Sequence, residues 1–436
     1  VRMKRITELS FFLSEKQSFL SFRETELSFF LSFFPRNRAF FLSEICSVCF
    51  ICNMFSFNRE HMGYVYTGSS ISTKFPSHMV HDILFLLPVK SLLRFQCLSD
   101  HYRALINSQY FITKHLESSK VRERALITFE CDIVRPDCGW VPFHNDDHFG
   151  RAVQLYYPLP LRHRQIQLVD YSNGLVTLHD SHNVIIIWNP LIRRYKQLPF
   201  EPIENLYGSN AHYLPSLAFG HDILRDDYKI FRIVQFKERR VDGLTSEVKI
   251  YSLRAHSWKR INDEWPTKFF SVISDAASLN GVLHWLVGPF ALEDKEEILI
   301  SFDLATDKFG EHTIPIQQDD ESNVNLGVLE NWLCVCQNYA THSHFWVMKE
   351  YGVESSWTRL YTVSLIGVAE PSMTERCKPL ALSRNGEKVL MQLDDNKPFW
   401  YNMKEKRNEK ARLSRLPCWF ETAICVGSLV LLDGDR

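Results

Sequence analysis

One arrangement recurs through the later part of the chain and limits its fold more than any other feature. An apolar strand pair with a Gly- or Asn-bearing turn is followed by a strand, a polar turn, and a second strand of aromatic, basic or polar residues. The pair appears at Leu168–Leu178 around Asn173-Gly174 and at Ser278–Val287 around Asn280-Gly281. It returns at Leu326–Val335, at Leu380–Leu393 around Asn385-Gly386 and at Ile424–Leu432 around Gly427. The second part begins at Ile185, Val248, Leu299, Phe345 and Phe399. Its aromatic anchors Trp188, Tyr251, Phe302, Trp346 and Trp400 lie 63, 51, 44 and 54 residues apart. Four antiparallel strands take about 40 to 50 residues, so each unit reads as one propeller blade. Pairing the Ile424 segment with an early strand, Ala125–Glu130, completes a sixth blade. Closure matters because an open sheet of this length leaves adhesive edges. The expectation is a mainly antiparallel β-propeller-like domain of about six blades over residues 150–436.

Ahead of it, residues 75–116 follow a helical period. Pro76 can open a first helix, because its missing N–H costs nothing in the first turn. Met79, Val80, Ile83, Leu84, Leu86 and Leu87 supply apolar positions nearly all round, and Pro88 ends the helix. Val89, Leu92, Leu93, Phe95 and Leu98 continue at helical spacing. Ser99 is an N-cap for a third helix over Asp100–Ile106, with Asp100 placed near its positive end. Three short helices hold more apolar surface than they can hide, so a partner or the next domain should cover the remainder. The fold class is therefore α+β and multidomain, with residues 117–149 a connector and first strands.

Bulk properties narrow the function. The 436 residues carry 50 basic and 51 acidic side chains, so the net charge of −1 gives no global attraction to nucleic acid or acidic lipid. Eleven cysteines follow no disulfide framework, and several sit in apolar runs, which points to the reducing cytoplasm or nucleus. No run of about 18 apolar residues suits a membrane span. Residues 1–62 differ from the rest, with thirteen phenylalanines and Phe-Phe-Leu-Ser starting at Phe11, Phe29 and Phe40. The sequence begins with Val1 and Met62 precedes the helical module, so this leader reads as a poorly structured or mis-assigned extension. Cys46, Cys49 and Cys52 resemble part of an iron–sulfur signature, but Ser56 stands where the fourth ligand belongs.

The segment Phe75-Pro-Ser-His-Met-Val-His-Asp-Ile-Leu-Phe-Leu-Leu-Pro-Val-Lys-Ser-Leu-Leu-Arg-Phe-Gln-Cys-Leu-Ser resembles the F-box of plant F-box proteins. Arg103-Ala-Leu-Ile-Asn-Ser, Phe111 and His115 continue the match. Downstream, Ser172-Asn-Gly-Leu-Val, Trp188-Asn-Pro, Phe219-Gly-His-Asp, Gly281-Val-Leu-His-Trp, Phe302-Asp-Leu and Trp346-Val-Met-Lys-Glu-Tyr-Gly-Val are similar to the F-box-associated domain of that family, described as kelch- or propeller-like. The resemblance implies a non-catalytic subunit of a Skp–cullin–F-box ubiquitin ligase. Its F-box would dock on a Skp-type adaptor, and through it on a cullin, while the C-terminal domain holds the target protein. The matching docking positions are Pro76, Ile83, Leu84, Leu87, Pro88, Val89, Leu92, Leu93, Leu98, Tyr102 and Ile106. The family's Lys-x-Trp-Arg step is here Asp100-His101-Tyr102-Arg103. A propeller binding protein with a degenerate F-box, acting outside the ligase, is the alternative.

Target contacts are expected on loops of one propeller face. Trp140, Tyr207 and Trp265, in the segments 136–150, 202–213 and 264–270, are the candidate anchors. His144-Asn-Asp-Asp-His148 reads as a solvated patch, and no metal or cofactor is implied. The sequence contains no Gly-x-Ser-x-Gly elbow, phosphate-binding Gly-rich loop or His-Glu-x-x-His run. His284 should lie in a strand with its ring satisfied.

Overall fold

The computed structural model describes residues 77–432 apart from 123, 131–137, 146–147, 156–165, 181–182, 205–211, 238–243, 262–264, 267–269, 290–296, 317–321, 367–376, 394–397 and 414–419. The Phe-rich leader, its cysteine triplet, Pro76 and Tyr207 therefore lie outside the described residues. The chain divides into two compact units, Val1–His81 and Asp82–Arg436. Of the first unit only the opening of one helix, residues 77–81, is described, and the other described helices and strands belong to the second unit.

Among the described residues four helices, one more than expected, precede the strands: α1 (Ser77–Phe85), α2 (Val89–Phe95), α3 (Asp100–Ile106) and α4 (Gln109–Arg122). Pro88 stands at the N-cap of α2 with φ −60° and ψ 151°, so its fixed ring both stops α1 and starts α2. Ser99 caps α3 as expected, its side chain accepting from the Tyr102 N–H at 3.3 Å.

Six antiparallel sheets follow. The first holds β1 (Arg124–Glu130), β2 (Cys138–Asn145), β3 (His148–Phe149) and β4 (Val153–Leu155). The second is β5–β8: Ile166–Ser172, Leu175–Asp180, Ile185–Asn189 and Arg194–Gln197. The third is β9–β12: His212–Asp222, Asp227–Lys237, Leu244–Ser252 and Ser257–Arg260. The fourth is β13–β17: Phe270–Val272, Ala277–Leu279, Val282–Pro289, Ile298–Asp303 and Lys308–His312. The fifth is β18–β21: Asn323–Leu329, Trp332–Asn338, His342–Met348 and Trp357–Ser364. The sixth is β22–β25: Cys377–Leu382, Lys388–Leu393, Phe399–Asn402 and Arg407–Lys410. The last strand, β26 (Phe420–Val426), returns to the first sheet and pairs with β1 from Arg124↔Val426 to Glu130↔Phe420. Strands β26, β5, β9, β14, β18 and β22 neighbour one another in that order and close a ring. The six-blade propeller thus takes the inner strand of its closing blade from the late chain and the outer strands from the early chain.

The five aromatic anchors occupy the third strand of their blades, which explains their spacing. Trp188, Tyr251, Phe302 and Trp400 are buried, and Trp346 is half-buried. In two blades the anchor meets an aromatic on the outer strand: Tyr251 with Trp258 at 5.3 Å and Phe302 with Phe309 at 4.9 Å. The polar turn after the anchor has a repeated construction. Arg193, His256, Asp307 and Lys406 hold positive φ at 58°, 54°, 55° and 52°. In all four of these turns side-chain oxygens cap the following amides: Asn189 takes Leu191 and Ile192, Asp303 takes Ala305 and Thr306, Asn402 takes Lys404 and Glu405, and in the His256 turn Ser252 takes Ala255 while Asp227 takes Arg254. Such bonds offset the strain of a left-handed non-glycine residue.

The expected hairpin around Gly427 does not form. Residues 427–432 run on past β26 without a strand partner, with Leu429, Val430 and Leu432 buried. Their backbone is held by the fully buried Asn189, whose amide donates to the carbonyls of Ser428 at 3.1 Å and Val430 at 3.0 Å. Gly174 makes room for them. At φ +81°, a Cβ there would sit 2.2 Å from the Ser428 Cβ.

Cores form between blades. One joins Phe345, Cys334, Cys336 and Tyr361 of the fifth blade to Cys377, Val389, Met391 and Tyr401 of the sixth. Another joins Phe231 and Ile233 of the third to Trp285 and Phe302 of the fourth. Cys334 and Cys336 are buried strand residues, with burial pushing the Cys336 thiol well up.

Candidate docking module and target face

Within the second unit the helices build a small core of their own. Leu84, Leu87, Val89, Leu92, Phe95 and Ile106 are buried, together with Phe111, Ile112 and Leu116 from α4. Five of the expected docking residues (Leu84, Leu87, Val89, Leu92 and Ile106) therefore face inward, and α4 supplies cover expected from a partner. Pro88 is exposed, and Ile83, Leu93, Leu98 and Tyr102 are half-buried. Leu86, outside the expected docking set, is exposed. Tyr102 meets the Phe95 ring edge-on at 5.9 Å. Asp100 points into solvent and pairs with Arg103 at 3.0 Å, an exposed contact worth little.

The carbonyls at the end of α1 are collected by α4. Arg122 donates to the oxygens of Leu86 and Phe85, both at 3.0 Å. Buried His115 donates from Nε2 to the Leu87 oxygen at 2.9 Å, and burial lowers its pKa. The Ser119 hydroxyl lies 3.5 Å from the other ring nitrogen. These polar groups at inward positions blur the apolar period of α4, which is why periodicity alone gives three helices.

Side-chain bonds then fasten this module to the ring. Gln109, at the start of α4, donates to Asp226 in the β9–β10 turn at 2.9 Å. At the other end, Arg384 in the β22–β23 turn donates to the Arg122 oxygen at 3.2 Å. Arg124 pairs with Glu330 in the β18–β19 turn at 2.6 Å and donates to the Leu382 oxygen at 3.0 Å. The third and sixth blades lie opposite each other, so α4 crosses the ring. All these turns join first to second strands. They share one face with the turns joining third to fourth strands. The second-to-third loops and the blade-to-blade connections lie on the opposite face, which α4 leaves uncovered.

The expected target anchors fare poorly. Trp140 lies in β2 rather than in a loop and is buried with Trp188 and Phe129. Trp265 is buried against Trp285 at 6.1 Å. Neither ring reaches solvent on the open face. Two residues outside the expected set do reach it: Phe200, 75% exposed, and Ile366, 76% exposed, both on blade-to-blade connections. Phe200 borders a cleft of about 320 Å³ between the second and third blades, lined also by Leu198, Pro202, Leu217 and Trp258. An ionic network holds the segment behind it. Arg232 pairs with Glu247 at 2.9 Å and donates to the oxygens of Glu201 and Pro202. Lys249 pairs with Glu201 at 2.5 Å and Glu204 at 2.7 Å. A proline-flanked aromatic just after an outer strand is the sequence signal for Phe200.

Titratable groups show no catalytic grouping among the described residues. No cluster of three or more His, Cys, Asp or Glu side chains that could hold a metal occurs among them. His284 is satisfied as expected: Nδ1 donates to the Ala277 oxygen at 3.1 Å and Nε2 accepts from Tyr351 at 2.9 Å. Burial lowers its pKa to about 4. Burial pushes the Asp170 carboxyl on β5 up to about 8, with the Tyr171 and Phe219 amides only partly opposing it.

Among the described residues, a helical module is fastened to one face of a closed ring and leaves the other face uncovered. Residues 73–114 match the F-box domain, and residues 141–429 match the F-box associated beta propeller domain. The chain belongs to the F-box associated beta propeller family of F-box proteins. It is 29% identical over 385 residues to the F-box protein CPR1 of Arabidopsis thaliana, covering 82% of this chain and 88% of that one. It is also 29% identical over 341 residues to an F-box/kelch-repeat protein of the same plant, covering 73% and 85%. No enzymatic family is indicated, and F-box proteins are in general non-catalytic adaptor subunits.

Proposed function

We propose that this chain is a substrate-recognition adaptor of a Skp–cullin–F-box ubiquitin ligase. The F-box binds a Skp-type adaptor and, through it, a cullin; the open propeller face binds the target protein. The observation that carries this reading is the crossing of the ring by α4, which fastens the helices to one face and leaves the loops of the other uncovered. No covalent step falls to the chain. It holds target lysines near the ubiquitin-carrying enzyme and so raises their effective concentration. A rigid mount favours this, because each freely rotating joint would dilute that concentration.

The adaptor-facing set narrows to Ile83, Leu86, Pro88, Leu93, Leu98 and Tyr102, which are outward or partly outward. The unbridged thiols of Cys97, Cys334, Cys336 and Cys425 suit a reducing compartment, which supports a site of action in the cytoplasm or nucleus. Purified full-length chain should retain a Skp-type adaptor at micromolar concentration, and L86D/L93D should abolish retention while leaving target capture intact. Affinity capture with degradation blocked should recover ubiquitinated target. A wild-type chain that fails to retain the adaptor would end this reading in favour of a propeller acting outside the ligase.

A further inference from the structure

The β9–β10 turn, on the face that carries the helices, presents Ile223 and Leu224 to solvent at 60% and 82% exposure. Two adjacent aliphatic residues so exposed are not left over from packing, because the turn beneath them is closely held. Fully buried Asp222 caps the amides of Leu224 and Arg225, both at 3.1 Å. It also pairs with Arg225 at 3.0 Å and Lys229 at 2.8 Å. Arg225 donates further to the Ala305 oxygen at 2.6 Å, and His221 pairs with Asp226 at 2.9 Å. The turn is a stiff mount for two apolar side chains, a feature of interaction surfaces rather than of ordinary solvated loops.

The mount is joined to the F-box. Asp226 of the same turn accepts from Gln109 at 2.9 Å, and the next residue of α4, Tyr110, is 65% exposed. The Tyr110 ring stands edge-on to Phe85, at the end of α1, at 6.3 Å. The Gln109–Asp226 bond therefore brings the turn that carries Ile223 and Leu224 to the end of α4 where Tyr110 and Phe85 lie. That bond begins inside the matched F-box domain, which extends to residue 114, and ends on the propeller.

We propose that the docking surface for the Skp-type adaptor continues beyond the helices onto this propeller turn, with Ile223 and Leu224 as direct contacts. The inference rests on the adaptor reading above and extends it. Continuity with the F-box surface selects the adaptor as occupant over a second copy of this chain. Docking is then sensitive to the state of the propeller, since part of its footprint exists only when the third blade is folded.

The test measures adaptor affinity for the full-length chain and for I223S/L224S. I366S serves as a control, because Ile366 is equally exposed on the opposite face. The expected result is an affinity about tenfold weaker for I223S/L224S. I366S should be unchanged, and both variants should melt with the wild type. Equal affinity for wild type and I223S/L224S overturns the extension and leaves the adaptor reading standing. No adaptor binding by the wild type overturns both. If the double variant instead abolishes self-association of the chain alone, seen by light scattering, without changing adaptor affinity, the occupant is a second copy and the proposal fails.

Discussion

Asn189 offers the sharpest test of how the ring is kept shut. Its side chain makes four bonds: buried donation to the Ser428 and Val430 oxygens, and part-buried acceptance from the Leu191 and Ile192 amides at 3.2 and 3.5 Å. The residue is 0% exposed, so water does not replace these partners in N189A. A buried carbonyl left without a donor costs roughly 1–3 kcal/mol, and two are orphaned, so the expected loss is roughly 2–5 kcal/mol. Total stability of a folded domain is about 5–15 kcal/mol, so the shift is large on that scale. N189D should be worse than N189A, because it retains the acceptor but turns an anionic oxygen toward two carbonyls. Urea unfolding followed by tryptophan fluorescence reads the stability. Limited proteolysis, with cleavage mapped after Val426, reads release of the terminal segment. Equal midpoints for wild type and N189A, within about 0.5 kcal/mol, would refute the claim that this side chain clasps the end of the chain.

Three further outcomes are expected. The folded Asp170 carboxyl titrates near 8 and the unfolded one near its ordinary 3.8, so the folded chain holds an extra proton between those values. Its contribution to stability is complete below about pH 4 and is lost as pH rises through about 8; D170N should flatten that decline in urea midpoints measured from pH 5 to 9. Tyr102, half-buried against Phe95, stands where the family usually carries Trp. Y102W should tighten adaptor binding by about tenfold in a titration of the full chain. F200A should weaken target capture severalfold with adaptor binding and melting temperature unchanged, and unchanged capture would remove Phe200 from the target face.

Much of the ring is readable in the sequence because it depends on local rules. The third-strand aromatics mark one blade each, since every blade buries the same position. Asn173-Gly174 and Asn280-Gly281 mark first hairpins, since both residues of each turn hold positive φ. Ser99 is readable because a cap acts over three residues. What escapes depends on contacts distant in sequence. Gly427 looks like a hairpin, but the chain beyond it is bonded to Asn189, more than two hundred residues earlier. Trp140 and Trp265 look like loop anchors, but burial is decided by the neighbouring blade. Five residues of the docking set follow the same rule, because α4 packs over positions whose period promises cover from elsewhere.

Ring closure sets an order of events on the ribosome. The helices and the outer strands of the closing blade emerge early, whereas β26 is among the last elements made. Until it arrives, β1 has no inner neighbour and the ring stays open along its edge. A product of premature termination before Phe420 would carry the described helices on an unclosed ring. Such fragments would leave the β1 edge unpaired and open to strands of other molecules.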